Sequence, residues 1–165
     1  MALTPTQKKK VRASIVTYCA QAVANEPRIH YSQQRPFRFY SEIGIGYVVL
    51  DCSGFVCNVF WNAMHDLGIF LHDPVDERYT GWGNTWSLET YLRAHGKRVN
   101  DVNGYLVGDI VRWGQGEHSH TAVCSKAGST VTARFTSHGR EGGPVVVDLR
   151  YRSDLVGVWR HPALL

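Results

Sequence analysis

One cysteine of this chain stands where thiol chemistry is possible. Residues 51–61 read DCSGFVCNVFW, and Cys52 precedes the apolar run, at the point where a helix is expected to begin. Backbone N–H groups at a helix N-terminus are unpaired and carry the positive end of the helix dipole, which stabilises a thiolate. The thiolate is the nucleophile, and the same N–H groups can bind the oxyanion that forms when it attacks a carbonyl. We therefore expect Cys52 to have a lowered pKa and to act as a nucleophile.

A cysteine nucleophile needs a histidine as its proton acceptor. The segment WGQGEHSHTAVCSK contains His120 at the start of a predicted strand. Strand alternation puts His120 on the same face as Ala122, so His120 can meet Cys52 if the second helix packs there. His138 lies in TSHGREGGP, at the end of the next predicted strand. It could bond the far nitrogen of His120 and thereby fix its tautomer.

A different set of side chains could hold a metal instead. HDPVD at residues 72–76 gives a histidine-x3-aspartate pattern, and HSH at residues 118–120 gives a histidine-x-histidine pattern. Both resemble the ligand patterns of lysostaphin-type zinc peptidases, and paired histidines on a strand can share a zinc ion. A zinc endopeptidase using His72, Asp76 and His120 is thus a rival hypothesis. It places two ligands in a proline-bearing loop and leaves the DCSG motif unexplained.

Three helices are predicted to position these side chains. Thr4 as N-cap, Pro5 at the first helical position and Gln7 closing a capping box begin the first helix. Asp51 caps the second helix, and Gly68 ends it. Periodicity places the helices at residues 5–24, 52–66 and 87–95. Residues 25–50 are predicted as loop with short extended pieces, and residues 69–86 as a long loop.

The second half of the chain is predicted to be a sheet. After residue 105, short β-rich runs alternate with glycine-bearing turns, as is typical of antiparallel strands. The runs are GDIVRW, SHTAVCSK, STVTARF, PVVVDL and LVGVWR. Helices followed by strands indicate the α+β class. With no internal repeat and no boundary, we expect a single domain over residues 1–165.

Composition excludes several classes of protein. The net charge of +4 is too small to indicate a nucleic-acid partner, so none is expected. No run approaches 18 apolar residues, so membrane insertion is not expected. The four cysteines stand at irregular spacings, which favours reduced thiols over a disulfide framework. MALTPTQKKKVRAS lacks the apolar core of a secretory signal, so we expect synthesis in a bacterial host cytoplasm.

Taken together, DCSGFV, VGDIVRW and HTAVC resemble the NlpC-type family of papain-like cell-wall cysteine peptidases, which are related to the CHAP amidases. The resemblance implies a papain-like α+β fold, with N-terminal helices packed on a C-terminal antiparallel sheet. It implies a catalytic set of Cys52, His120 and His138 and no cofactor. It also implies that Tyr31 lines the site and that Asp51 can meet a free amine of the substrate.

Other side chains are candidates for substrate contact. Ser53 keeps the first turn of the second helix small, so a substrate can approach the thiol. Trp82 and Trp86, in GWGNTW, could stack on sugars, although buried aromatics that anchor a loop would give the same pattern.

The segments SHGREGGP and YRSDLVGVWRHP are similar to peptidoglycan hydrolases of actinobacterial phages. This resemblance implies a monomeric endolysin that cleaves an amide bond in the peptidoglycan stem peptide, after release through a holin or from a virion. Two features depart from the family pattern. A tyrosine–tryptophan–glycine–glycine stretch is missing, and His138 lies 18 residues after His120, farther than the family norm. A tail-associated wall-binding or structural protein with a silent peptidase fold is the alternative.

Overall fold

The computed structural model describes residues 3–38, 48–69, 81–139 and 142–165. Within these ranges the helices are α1 (Pro5–Ala24), α2 (Cys52–His65) and α3 (Thr85–His95). The strands are β1 (Ile29–Tyr31), β2 (Val48–Leu50), β3 (Lys97–Val99), β4 (Asp109–Trp113), β5 (His120–Lys126), β6 (Arg134–Ser137), β7 (Val145–Val147) and β8 (Leu155–Arg160).

The strands of the second half form one antiparallel sheet. Its order in the described part of the chain is β3-β8-β4-β5-β6-β7. Strands β1 and β2 form a separate parallel pair within the region predicted as loop with short extended pieces. Helices α1 and α2 pack on each other and against β5. The predicted α+β fold, with N-terminal helices packed on an antiparallel sheet, is confirmed.

Side-chain caps fix where the helices begin. The Thr4 hydroxyl accepts from the Gln7 amide while the Gln7 side chain accepts from the Thr4 amide, which is the predicted capping box. Asn84 caps α3 in the same way with Ser87, so this helix begins at Thr85 rather than at the predicted residue 87. Each such cap stabilises its helix by about 1 kcal/mol.

Two strand predictions needed correction. The predicted strand over residues 129–135 begins only at Arg134, because the Ser129 amide bonds the Thr132 hydroxyl and the Ala133 amide bonds the Ser129 carbonyl. These bonds close a turn that competes with the sheet. Strand β3 was not predicted, because three residues after Gly96 carry too little alternation to be recognised.

The two faces of the sheet carry different cores. Ile110 and Val123 face the helices, where they pack with Val56 and Val59 of α2. The opposite face carries Trp113, Phe135, Val111, Ala122 and Val158. Helix α2 therefore packs on the face that carries Val123. From the sequence, His120 was expected to meet Cys52 if α2 packed on the face that carries Ala122. The structure shows that α2 packs on the other face.

The glycine–aspartate pair at the start of β4 has a structural role. Asp109 is fully buried and accepts two hydrogen bonds from Arg160 of β8, at 2.8 Å each. Gly108 has φ +87°, and a Cβ there would lie 2.6 Å from Leu164 and 3.1 Å from Ile15. The pair thus holds the start of β4 against the C-terminal strand and α1.

Candidate active site

The N-terminus of α2 is built around Asp51. Its Oδ1 accepts from the Gly54 amide at 2.7 Å and from the Ser53 hydroxyl at 2.9 Å, which confirms the predicted cap. Its Oδ2 accepts from Arg35. Because both oxygens have partners, capping and the ion pair account for this aspartate. Contact with a substrate amine stays a prediction.

Arg35 was not among the residues singled out from the sequence. Its guanidinium spans the carboxylate of Asp51, the Ser53 hydroxyl at 3.3 Å and the Gly83 carbonyl at 2.8 Å. It therefore ties the start of α2 to the segment that precedes α3. Nothing in its surroundings along the chain, QQRPF, distinguishes it from an ordinary loop arginine.

Cys52 is the first residue of α2, as predicted, and its side chain is 4% exposed. Its sulfur lies 3.6 Å from the Thr85 hydroxyl of α3. Burial raises the pKa of the Cys52 thiol, and the negative charge of Asp51 raises it further. The Thr85 hydroxyl and the backbone amides of Thr121 and Ser53 lower it, but they do not compensate.

The expected lowering of this pKa is therefore wrong for the free protein. The helix dipole and the N–H groups at the start of α2 stabilise a thiolate. The loss of hydration on burial destabilises the thiolate by more. Ionisation then needs a proton acceptor and a change in solvation within the site, such as substrate binding brings.

His120 is the first residue of β5 and is buried. Its Nε2 is hydrogen-bonded to the Ser137 hydroxyl of β6. Its ring centroid lies 6.0 Å from that of Trp113 and 6.0 Å from that of Tyr151. The hydrogen bond to Ser137 and the rings of Trp113 and Tyr151 thus help to fix the position and plane of the imidazole.

Cys52 and His120 line two adjoining hollows. The hollow at Cys52 has a volume of about 690 Å³ and is bordered by Arg35, Thr85, Trp86 and Arg112. The hollow at His120, of about 430 Å³, is bordered by Tyr31, Tyr151 and Arg152. Gln33, Glu117 and Ser119 border both hollows. The thiol and the imidazole thus line neighbouring hollows, and their direct contact stays a prediction.

His138 follows β6 and is fully buried on the helix side of the sheet. Its ring packs edge-on against Tyr31, with centroids 5.6 Å apart, and against Phe55 at 6.3 Å. Within the described residues, neither ring nitrogen has a partner in hydrogen-bond geometry. Burial lowers the pKa of His138, while the nearby backbones of His30 and Leu50 raise it by less.

This lowered pKa predicts a stability that depends on pH. Between the ordinary value of 6.5 and the lower folded value, the unfolded chain binds a proton that the folded chain does not. Stability is therefore full above about pH 6.5 and falls as the pH drops below it. Chemical denaturation gives the free energy of unfolding at pH 7.5 and at pH 5.5. This free energy should fall less between the two pH values for His138→Gln than for the wild type. His118→Gln, at an exposed position, should lose as much stability as the wild type. Equal losses of stability in all three proteins would contradict the attribution of the pH dependence to His138.

The predicted tryptophans are both exposed. Trp86 is 68% exposed on the first turn of α3 and borders the hollow at Cys52. Trp82, just before α3, is 63% exposed. Neither anchors a loop by burial, so both remain available for stacking. Their contact with a sugar stays a prediction.

The zinc hypothesis falls partly outside the described residues, since His72 and Asp76 lie in the range 70–80. Among residues whose placement is described, no group of three or more histidine, cysteine or acidic side chains could hold a metal ion. His118 lies in a 3-10 turn, Gly116–His118, before the strand that begins at His120. The pair does not share a strand face.

The chain has the α+β fold of P60 domains. Among solved structures, the P60 domain of a Mycobacterium avium subspecies paratuberculosis antigen matches with a TM-score of 0.54 and 13% identity, over 92% of this chain and 97% of that one. The peptidoglycan hydrolase RipB of Mycobacterium tuberculosis matches with a TM-score of 0.49 and 15% identity, over 97% of this chain and 72% of RipB. No family model and no curated protein sequence matches.

Within the described ranges, no helix is both long and apolar enough to cross a membrane.

Proposed function

We propose that this chain hydrolyses an amide bond in the stem peptide of bacterial peptidoglycan, with Cys52 as the nucleophile and His120 as the base. The observation that carries the proposal is the position of Cys52. It begins α2 and lines a hollow of the surface, and the backbone amides of Thr121 and Ser53 favour its thiolate form. The P60 fold and the DCSGFV and HTAVC motifs support the same reaction.

The reaction follows from these groups. His120 takes the thiol proton, and the sulfur of Cys52 attacks the amide carbon. Amides at the start of α2 stabilise the oxyanion of the tetrahedral intermediate. His120 then gives the proton to the leaving amine as the C–N bond breaks, which leaves a thioester. Water, deprotonated by His120, attacks the thioester and releases the carboxylate product and the free thiol.

The substrate class rests on the motifs and on the size of the hollow at Cys52. A hollow of about 690 Å³ accommodates several residues of a peptide. The exposed ring of Trp86, which borders this hollow, supports contact with the sugar that carries the stem. The similarity of SHGREGGP and YRSDLVGVWRHP to phage hydrolases supports a phage lysin, free or carried in a virion.

Inhibitors separate the cysteine mechanism from the zinc hypothesis. Turbidity loss of a suspension of purified cell walls measures the activity. Chelators such as EDTA should leave the rate unchanged, and iodoacetamide should abolish it. Because the pKa of the Cys52 thiol is raised, inactivation should accelerate as the pH rises. Loss of activity with EDTA, restored by zinc, would support the metal site instead.

A silent wall-binding protein is the second candidate, and the exposure of Trp82 and Trp86 favours it. Co-sedimentation with purified walls, followed by assay of the supernatant for released peptides, separates the two functions. Binding without release of any peptide would support the silent protein. Binding with release would support the hydrolase.

A further inference from the structure

Ser137 of β6 hydrogen-bonds the imidazole of His120. Its hydroxyl meets Nε2 of His120, and both side chains are buried. We propose that Ser137 holds His120 in its catalytic orientation, as a positioning residue for the reaction proposed above. The proposal rests on that function, and it assigns to Ser137 the role that the sequence predicted for His138.

The register of the sheet supports Ser137 rather than its neighbour. Ala122 of β5 pairs with Ser137 of β6. Side chains of paired residues share a face, and residues two apart on a strand share it too, so His120 lies on the face of Ser137. His138 is one residue farther along, and a step of one residue turns the side chain to the other face. Its ring accordingly packs on Tyr31 and Phe55.

The hydrogen bond selects the useful tautomer. When Nε2 carries the proton and donates it to the Ser137 oxygen, Nδ1 keeps its lone pair and can accept the thiol proton. After that transfer both nitrogens carry protons, and Nε2 still donates to Ser137. A hydroxyl oxygen can accept in both states, so this bond supports the neutral base and the imidazolium alike. The rings of Trp113 and Tyr151 keep the plane of the imidazole constant meanwhile.

Removal of the Ser137 hydroxyl should therefore weaken catalysis more than binding. For Ser137→Ala we expect kcat to fall about 10–100-fold, with KM changed less than threefold, because the bond to the imidazolium is lost. The pKa of His120 should fall, which moves the acidic limb of the kcat/KM profile to lower pH. Ser137→Thr keeps a hydroxyl and should restore part of kcat. Ser125→Ala removes a hydroxyl that bonds Thr136 instead, and it should behave as the wild type.

Nitrogen NMR of the imidazole rings gives a readout that needs no activity. In Cys52→Ser protein at pH 7.5, His120 should show Nε2 protonated and Nδ1 unprotonated. Adding Ser137→Ala should mix the tautomers, whereas adding His138→Gln should not. Ser137→Gly serves as a second deletion, and thermal melting identifies the variants that are folded.

The outcomes are distinguishable. An unchanged tautomer, kcat and pH profile in folded Ser137→Ala or Ser137→Gly would overturn the proposal. So would a tautomer change caused by His138→Gln. If the wild type hydrolyses no cell wall, the proposed function fails, and the NMR result still decides whether Ser137 holds His120.

Discussion

Replacement of Cys52 by serine is expected to abolish hydrolysis of cell walls while leaving the protein folded. Serine is nearly isosteric, and its hydroxyl can keep the contact with Thr85 that the sulfur makes at 3.6 Å. The melting temperature should therefore stay within a few degrees of the wild type. A serine hydroxyl is far less acidic than a thiol and is not ionised by an imidazole base. Initial rates of dye release from labelled walls, together with thermal melts, measure both effects.

Cys57 provides the matched control. It is a buried cysteine on the same helix, within the hydrophobic core that includes residues of α1 and α2. Cys57→Ser should lower the melting temperature because it places a hydroxyl in an apolar site, and the folded fraction should remain active. Near-normal turnover by Cys52→Ser would refute the cysteine mechanism. Loss of activity in both variants, in proportion to loss of folded protein, would show only a structural effect.

Replacement of His120 by alanine should have the next largest effect. Proton transfer is lost at two steps, from the thiol and to the leaving amine, so kcat/KM should fall about 10²–10⁴-fold. The loss should shrink as the pH rises, because more of the thiol with its raised pKa then ionises without help. Rates for the wild type and the variant between pH 6 and 10 give this dependence directly.

His118→Ala is the control for His120. His118 is exposed in the turn before β5, and its backbone carbonyl, which the substitution leaves intact, accepts from Arg152 at 2.8 Å. It should keep nearly all activity. An inactive His118→Ala beside an active His120→Ala would contradict the assignment of the base.

Local signals predicted most of the fold. The Thr4 capping box, the Asp51 cap and the apolar periodicity of α2 act within a few residues of chain, so they can be recognised without tertiary information. The start of β6 was predicted too early because side-chain hydrogen bonds at Ser129 and Thr132 close a turn there. The pairing of β1 with β2 could not be predicted, because the two strands lie far apart in the sequence. Strands of three residues are also too short to indicate which strand they pair with.

The candidate site could be predicted only in part. The position of Cys52 at the start of α2 follows from the sequence, because the cap and the helix are local. Its raised pKa does not, since the burial that raises it depends on tertiary packing, in which Thr85 of α3 meets the sulfur. The choice between Ser137 and His138 depends on strand register, which the consecutive polar residues Thr136, Ser137 and His138 do not fix. Arg35 joins the site through long-range contacts that its own segment does not indicate.

The central claim is that Cys52 cleaves an amide bond of the peptidoglycan stem, and mass spectrometry of digested walls tests it most directly. Purified peptidoglycan is incubated with the wild type or with Cys52→Ser, and the soluble products are sequenced by fragmentation. We expect wild-type products that carry one new amine and one new carboxylate at a single amide position, with glycan linkages intact, and none of these products with Cys52→Ser. Products cut in the glycan, or the same products from both proteins, would contradict the claim.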